Sequence, residues 1–404
     1  MLNLIQQKIY KLEGTIQHYA WGGFEFIPNL LKYNNIENKP CAEYWLGAHP
    51  SAPSIIAIEN KSYYLNELIQ EYPDKILSQK IQSKFFELPF LFKVLDVKEM
   101  LSIQVHPTKA EAIKGFKREE AEGISIKASY RNYKDKNHKP EVMIALGEFW
   151  LLHGFLPLQE IENRLNNIKE FNVLLNFFNK EGLKALYKLL MEMPQQEVDS
   201  ILTSLVKRTI RKKNNGELNK SMPDWWVAKL FNNEDDVKDI DRGVFSIYLF
   251  NIVGLQKGEG IFQSAGIPHA YLEGQNIELM ANSDNVLRGG LTPKHVDVPE
   301  LLKHTLFESV KPEILKGELR AQVEKMYKCP VDDFDISLIQ IDANKSYKAL
   351  SASPEIFIVM EGGAVVDGNG INFSVKRGES FIIFPNENYS IKSSGYCELY
   401  KAYC

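Results

Sequence analysis

One segment of the sequence offers polar side chains that could bind a ligand from an otherwise apolar strand. It reads SIQVHP and begins at Ser102. Because side chains alternate between the two faces of a strand, Ser102, Gln104 and His106 point to one face. Taken alone, this pattern is more typical of an ordinary half-exposed strand than of a functional site.

Two further segments offer a carboxylate and a second histidine. In HKPEVMIAL, which begins at His138, Glu141 opens an apolar run, and a carboxylate that enters a core needs a cationic or metal partner. In GIPHAYL, which begins at Gly266, His269 and Tyr271 share one face by the same alternation. A surface salt bridge or a packed histidine would explain each segment by itself.

Together, the three segments favour a metal site. Gln104, His106, Glu141 and His269 supply two imidazoles, one carboxylate and one amide, which is a plausible four-ligand set for Zn²⁺. With a single anionic ligand, the ion keeps a net positive charge and remains a Lewis acid towards sugar hydroxyls or water. The pattern therefore predicts one zinc ion per chain.

A fourth segment carries cations and carboxylates. It reads IELMANSDNVLRGGLTPK and includes Glu278, Asp284, Arg288 and Lys294. The two glycines after Arg288 would let a ligand approach the backbone closely. By itself the segment resembles a solvated loop, but beside a metal ion Arg288 and Lys294 would form a clamp for a phosphate or an oxyanion.

Composition narrows the class of protein. The 404 residues predict two or three domains, and 44% hydrophobic with 25% charged residues is typical of a globular chain. A net charge of -4 argues against a nucleic-acid-binding surface. Four scattered cysteines without CxxC spacing suit a reduced compartment, and the sequence shows neither a signal core nor a membrane-length apolar run, so we expect a cytoplasmic protein.

The elements that must position these side chains fall into three parts. Short apolar runs predict strands in residues 1–155 and again in 240–317, and these two segments would form the domain that carries the site. Helical spacing of apolar residues predicts an inserted helical domain over 156–239. Short strands with glycine turns predict a β-sandwich or jelly roll over 318–404. Because no histidine follows His304, we expect this last domain to be structural.

The sequence also resembles a known family, the type I mannose-6-phosphate isomerases. The resemblance rests on seven segments in the family's order: YAWGG, AEYWLGAHPSAPS, LPFLFKVL, LSIQVHP, NYKDKNHKPE, PHAYLEG and MANSDNVLRGGLTPK. They lie on both sides of the helical insertion, which carries no signature of its own. The resemblance implies interconversion of mannose 6-phosphate and fructose 6-phosphate. It also implies two cupin-like β-sandwich domains and an inserted α-helical domain.

The resemblance implies roles for individual residues as well. Zinc is expected on the counterparts of the four residues that the pattern selects: Gln104, His106, Glu141 and His269. Arg288 and Asp284 are expected in the catalytic cleft, and the phosphate is expected near Ser102, Lys93 and Lys294. The substrate-binding set comprises Ser102, Lys93, Lys294, Tyr271 and Trp21.

Aldose–ketose isomerisation moves a proton between C1 and C2 of the open-chain sugar, usually through a cis-enediol. The reaction needs a base and groups that stabilise the developing oxyanion. Arg288 and Lys139 are predicted to stabilise the oxyanion together with zinc. The base stays open among His138, Lys139, Asp284, Glu278 and a zinc-bound water, and a metal-assisted hydride shift is a second open route.

Two other functions compete with this interpretation. An Fe(II) cupin oxygenase would leave Gln104 as a spectator and would give Arg288 and Lys294 no purpose. A non-catalytic sugar-binding double cupin would not need the charged residues around the cleft. The sequence thus predicts a monomeric enzyme that acts on a small-molecule sugar phosphate, without nucleic-acid or membrane partners.

Overall fold

The computed structural model describes residues 4–343 and 345–404. Its part before residue 156 contains strands, as the sequence predicts, together with five helices that the sequence analysis did not predict. The apolar run LPFLFKVLDV forms a strand that is buried along its whole length. The elements of this part are β1 (Ile9–Glu13), β2 (Thr15–Gln17), α1 (Phe26–Leu31), β3 (Glu43–Gly47), β4 (Ile55–Ile58), β5 (Lys61–Tyr64), α2 (Leu65–Glu71), α3 (Pro73–Ile76), α4 (Gln79–Phe85), β6 (Phe90–Val97), β7 (Gln104–Val105), α5 (Lys109–Ala121), β8 (Glu141–Ala145) and β9 (Phe149–Phe155).

Helices then follow one another, as the spacing of apolar residues predicts. The last of them lies after residue 239, in the range where the sequence analysis predicted strands. The elements are α6 (Leu158–Asn167), a 3₁₀ turn (Lys169–Phe171), α7 (Asn172–Glu192), α8 (Gln195–Asn214), α9 (Pro223–Lys229), a 3₁₀ turn (Glu234–Asp236) and α10 (Gly243–Leu249). Gly182, with φ 79°, kinks α7. Over the described ranges of the chain, no helix combines the length and the apolar character needed to cross a membrane.

Strands return after the helices and continue to the end of the chain. The elements are β10 (Phe250–Leu255), β11 (Gly260–Gln263), β12 (His269–Ala281), β13 (Leu287–Arg288), α11 (Val298–His304), β14 (Glu318–Ala321), β15 (Glu324–Tyr327), β16 (Asp335–Ile341), β17 (Ser346–Leu350), β18 (Glu355–Gly368), β19 (Ile371–Lys376), β20 (Ser380–Ile383), β21 (Asn388–Lys392) and β22 (Cys397–Tyr403). The prediction of a mainly β protein with a helical insertion is therefore confirmed.

Ten strands form an antiparallel sheet, called here the first sheet, whose main path runs β10, β9, β12, β6, β3, β2. The long strand β12 pairs with β6, β7, β8 and β9, so it brings residues from all four strands together. Along β6, Phe92 and Val94 join the core on one face, whereas Lys93 and Leu95 line a cavity on the other. The alternation of side chains thus separates a packing face from a polar face.

Twelve strands form the second sheet, whose main path runs β14, β15, β16, β22, β18, β20, β1, β4, β5. Its members β1, β4 and β5 come from the beginning of the chain, and Ile9 of β1 lies opposite Ile383 of β20. The second sheet therefore crosses the boundary between the predicted domains 1–155 and 318–404. The three-part division itself stays a prediction.

An apolar core lies between the two sheets. The first sheet contributes Phe92 and Ile277, and the second contributes Ile358 and Tyr400. On another side of the first sheet, Leu272 belongs to the core that packs under the helices. Apolar residues thus pack against the first sheet on two sides. This packing fixes the positions of the side chains on its polar face.

Candidate active site

Three of the four predicted metal ligands meet in the interior of the first sheet. Glu141 opens β8, His269 opens β12 and His106 follows β7, and one ligand atom from each lies within 4.8 Å of the others. Glu141 Oε1 is 3.6 Å from His106 Nε2, and Glu141 Oε2 is 3.3 Å from His269 Nε2. All three side chains are buried, so the structure gathers two imidazoles and one carboxylate at one point.

Each histidine is held through Nδ1, which turns its Nε2 towards the cluster. His106 Nδ1 donates to the carbonyl oxygen of Asn285 at 2.8 Å, and His269 Nδ1 donates to that of Ile267 at 2.9 Å. The buried Nε2 of His106 has no hydrogen-bond partner in the described part of the chain. Burial lowers the pKa of His106 to about 3, against the opposing effect of Glu141, so the ring is neutral. These donors fit a zinc ion.

Glu141 supplies the negative charge of the cluster. Burial raises the pKa of this carboxyl, but the positive charge of Lys139 opposes burial, and the pKa lies well below its usual value. The Nζ atom of Lys139 is 3.1 Å from Glu141 Oε1. Glu141 is therefore ionised, as an anionic metal ligand must be.

Gln104 is placed beside the cluster by strand pairing. It lies opposite His269 of β12 and opposite Arg288 of β13. Directly opposed residues have their side chains on the same face of a sheet, and Gln104 lines the same cavity as Glu141 and His269. The register thus sets both the fourth predicted ligand and Arg288 next to the cluster.

The strand predicted at SIQVHP is shorter than expected and contains only residues 104–105. Before it, the backbone N–H of Ile103 donates to the carbonyl oxygen of Gly290 at 3.0 Å, and the N–H of Gly289 donates to that of Ile103 at 2.9 Å. The segment is therefore tied to the loop after β13. Ser102, which is half-buried, lies next to that loop.

A buried group of three charges borders the cluster, and one of its members, Glu43, was not predicted from the sequence. The Nζ atom of Lys93 is 2.9 Å from Glu278 Oε1 and 3.4 Å from Glu43 Oε2. Burial lowers the pKa of Lys93, but the two carboxylates outweigh burial and raise it, so Lys93 is charged. Burial raises the pKa of Glu278. Lys93 of β6 lies opposite Glu278 of β12, which explains their contact.

These side chains line a narrow cavity of about 50 Å³. Its wall contains Glu43 and seven of the predicted residues: Lys93, Gln104, Lys139, Glu141, His269, Tyr271 and Glu278. Burial, with Glu278 and Glu141 nearby, raises the pKa of the Tyr271 phenol well above its usual value. Trp21 packs against the same apolar cluster as Tyr271 and stacks on Tyr19, with ring centroids 5.9 Å apart.

Two of the candidate bases lie outside the wall of this cavity. His138 Nε2 is 3.1 Å from both carboxylate oxygens of Asp333, a residue in the turn before β16. Asp284 is half-exposed, and its Oδ2 is 3.6 Å from His49 Nε2. Within the described ranges, only Glu278 and Lys139 among the predicted protein bases line the cavity.

Arg288 and Lys294 are cations without an anionic partner. Burial lowers the pKa of Arg288, and burial together with Arg288 lowers the pKa of Lys294. In residues 4–343 and 345–404, no carboxylate forms a salt bridge with either of them. Neither side chain is part of the cavity wall described above, but Arg288 lies opposite Gln104 and Lys294 lies near Arg288, and two such neighbouring cations suit an anionic ligand.

The sequence analysis did not predict several residues whose contacts position the side chains of the site. Glu43 carried a signal, because it is a carboxylate within the apolar segment AEYWLG. Asn285 and Asp333 carried none, because they act through contacts with residues far away in the sequence.

Comparisons with known proteins agree with this geometry. Residues 9–158 match the family model described as phosphomannose isomerase type I, catalytic domain. The mannose-6-phosphate isomerase of Salmonella typhimurium is 36% identical over 400 residues, which cover 97% of this chain and 99% of that protein. The mannose-6-phosphate isomerase of Homo sapiens is 33% identical, with 95% of each chain covered. A crystal structure of zinc-bound mannose 6-phosphate isomerase superposes with a TM-score of 0.86, at 35% identity, over 98% of this chain and 99% of that one.

Proposed function

The chain belongs to the type I phosphomannose isomerase family, and on that basis we propose that it is a zinc-dependent isomerase that interconverts mannose 6-phosphate and fructose 6-phosphate. The observation that carries this proposal is the buried cluster of His106, Glu141 and His269, with Arg288 on the neighbouring strand opposite Gln104 and Lys294 near Arg288. Among the described residues, neither cation forms an ion pair with a carboxylate. An Fe(II) oxygenase or a non-catalytic sugar-binding protein would have no need for such cations at the metal.

We assign the metal to His106, Glu141, His269 and Gln104. Three of these residues already place ligand atoms within 4.8 Å of one another, and the fourth lines the same cavity. When bound, zinc supplies a Lewis acid that polarises sugar oxygens. Lys139, which neutralises Glu141 in this structure, can then turn towards the sugar oxyanion together with Arg288.

We assign the phosphate to Lys294, with Ser102 as a second contact. Within the described residues Lys294 forms no ion pair with a carboxylate, whereas Lys93, also expected from the sequence to bind phosphate, is shared by two carboxylates. A phosphate next to Glu43 and Glu278 would be repelled. Lys93 is therefore better suited to bind the sugar end of the substrate. Because the cavity is narrow, the phosphate would lie towards its mouth, and its binding energy would position C1 and C2 over the interior.

We assign the proton transfer to Glu278. It lines the cavity, burial raises its pKa against the opposing charge of Lys93, and Lys93 Nζ donates a hydrogen bond to its carboxylate at 2.9 Å. The ionised carboxylate accepts the proton from C2 of open-chain mannose 6-phosphate while O1 gains a proton, and the protonated acid then returns its proton to C1 while O2 loses one. The proton gained by O1 balances the one lost by O2. The cis-enediol forms between these two steps, and the enzyme gains and loses no net proton.

Three further parts of the proposal rest on the sequence: the domain division, the oligomeric state and the location in the cell. The site would lie in a domain of residues 1–155 and 240–317, with a helical insertion at 156–239 and a structural domain at 318–404. We propose a monomer in the cytoplasm, a location that suits the four unpaired cysteines.

Isomerisation of mannose 6-phosphate by the purified chain tests the proposal. We expect activity to disappear after treatment with a chelator and to return on addition of Zn²⁺. Replacing Arg288 with alanine should lower kcat by about a hundredfold or more, since a stabiliser of the transition state is lost. A folded, zinc-loaded protein without turnover would refute the isomerase assignment, and an effect of Arg288→Ala on KM alone would move Arg288 to substrate binding.

A further inference from the structure

Asn285 is a buried amide whose hydrogen-bonding groups all have partners. It lies in the turn between β12 and β13, and none of its surface is exposed. Its side-chain oxygen accepts from the backbone N–H of Lys134 at 2.7 Å and of Asp135 at 3.2 Å. Its amide nitrogen donates to the carbonyl oxygens of Asp135 and Asn137 at 3.0 and 2.9 Å. Because the side-chain oxygen and nitrogen both have hydrogen-bond partners, the side chain is held in one orientation.

The residues that Asn285 binds form a strap, residues 134–139, which leads directly into the metal site. Lys139 ends the strap, and Glu141 follows two residues later. The Asp135 carboxylate strengthens the connection from the other side, because it accepts from Ser283 Oγ at 2.9 Å and from the N–H of Asp284 at 2.8 Å. The strap and the turn around Asn285 are therefore joined by bonds in both directions.

The backbone of Asn285 reaches a second part of the site. Its carbonyl oxygen accepts from Nδ1 of His106 at 2.8 Å, and this bond turns the unpartnered Nε2 of His106 towards Glu141. One residue thus contacts the strap that precedes Glu141 and the ring of His106. A shift of Asn285 would therefore change the directions in which His106 and Glu141 face the metal position.

From this arrangement we infer that Asn285 and Asp135 form a lock that positions His106 and Glu141 for zinc. The inference rests on the proposed metal set, but it assigns a role to residues outside it. Asn285 touches neither metal nor substrate in this role and is a positioning residue. The affinity for zinc, rather than only the rate of the reaction, depends on the lock.

Zinc affinity of the full-length chain, measured by competition with a chromophoric chelator, tests the lock. In Asn285→Asp, an oxygen replaces the amide nitrogen that faces three oxygens, two of Asp135 and one of Asn137, so the strap is repelled while the side-chain volume is kept. We expect zinc to bind at least about tenfold more weakly. A folded Asn285→Asp protein whose zinc affinity is within twofold of the wild type would overturn the inference.

Asn251→Asp is the matched control. The amide nitrogen of Asn251 donates to four backbone carbonyls, those of His153, Gly154, Phe155 and Val310. Its loss should lower the Tm but leave the affinity for zinc within twofold. An equal loss of zinc affinity in both variants would mean general destabilisation and would also refute the lock.

A milder variant covers the case in which Asn285→Asp does not fold. Asp135→Asn keeps the bond between Asn285 and His106 but removes an acceptor for Ser283 and Asp284. It should weaken zinc binding about threefold, and unchanged affinity would count against the lock. Turnover by the wild type is measured in parallel, because a wild type that binds zinc without turnover refutes the isomerase assignment and leaves the lock to be judged on zinc affinity.

Discussion

Lys93 lies in the protein interior between Glu43 and Glu278, and the three charges depend on one another. Removal of ions from water is unfavourable, and their attraction offsets this only while each charge keeps its partner. The cluster of His106, Glu141 and His269 could be predicted from the sequence, because two histidines on alternating strands and a carboxylate that opens an apolar run are local patterns. The metal set itself, with Gln104 as its fourth member, stays a prediction. Glu43 could not be assigned a role, because its neighbours depend on the register between β3 and β6.

Lys93→Met should therefore destabilise the fold by about 3 kcal/mol or more, since two buried carboxylates lose their cation. Urea unfolding of the zinc-loaded protein measures the change. Lys84→Met is the control, because Lys84 pairs with Asp332 at the surface, and it should cost less than about 1 kcal/mol. The double variant with Glu278→Gln should recover part of the loss, and a cost below that of the control would contradict the argument.

At the scale of elements, Asp241, which precedes α10, connects the helices to the loop that follows Arg288. Asp241 Oδ1 accepts from the N–H groups of Gly243 and Leu291, both at 2.7 Å, and Oδ2 accepts from that of Thr292 at 3.0 Å. The helices themselves could be predicted from apolar spacing, and so could β6, β8 and β12. The contacts of Asp241, called here the Asp241 clamp, could not be predicted, because a carboxylate that binds backbone groups leaves no periodic pattern in the sequence.

Asp241→Asn should raise the KM for mannose 6-phosphate about tenfold with a smaller change in kcat, because the loop after Arg288 loses an acceptor and shifts. Steady-state kinetics with the zinc-saturated enzyme measures both constants. Zinc content should stay at the wild-type level. A lower kcat at unchanged KM would show that the clamp serves the chemical step instead.

At the scale of the whole molecule, the last segment of the chain reaches the strap that leads to the metal site. Asp333 lies before β16, and its carboxylate holds the ring of His138, the neighbour of Lys139. The sequence indicated a structural role for residues 318–404, because they contain no histidine. The contact between Asp333 and His138 joins residues 195 positions apart, and local patterns contain no information about such contacts.

Asp333→Asn should lower kcat about tenfold, because His138 and the adjacent Lys139 lose their fixed position. Asp332→Asn is a close control in the same turn, because the Asp332 side chain is 81% exposed and pairs with Lys84 at the surface. Activity assays of both variants, at equal zinc content, measure kcat. Equal activity of Asp333→Asn and Asp332→Asn would show that the contact is not needed for turnover.

The pairing of β1 with β20 also constrains how the protein is made. Ser380 Oγ donates to the carbonyl oxygen of Leu12, a residue 368 positions earlier in the chain. At a translation rate of about 5–20 residues per second, β1 leaves the ribosome roughly 20 to 70 s before its partner strand. During synthesis one edge of β1 therefore stays unpaired until the last strands emerge, and an unpaired edge favours aggregation. Shortened chains that end before β20 should collect in the insoluble fraction of an expressing cell.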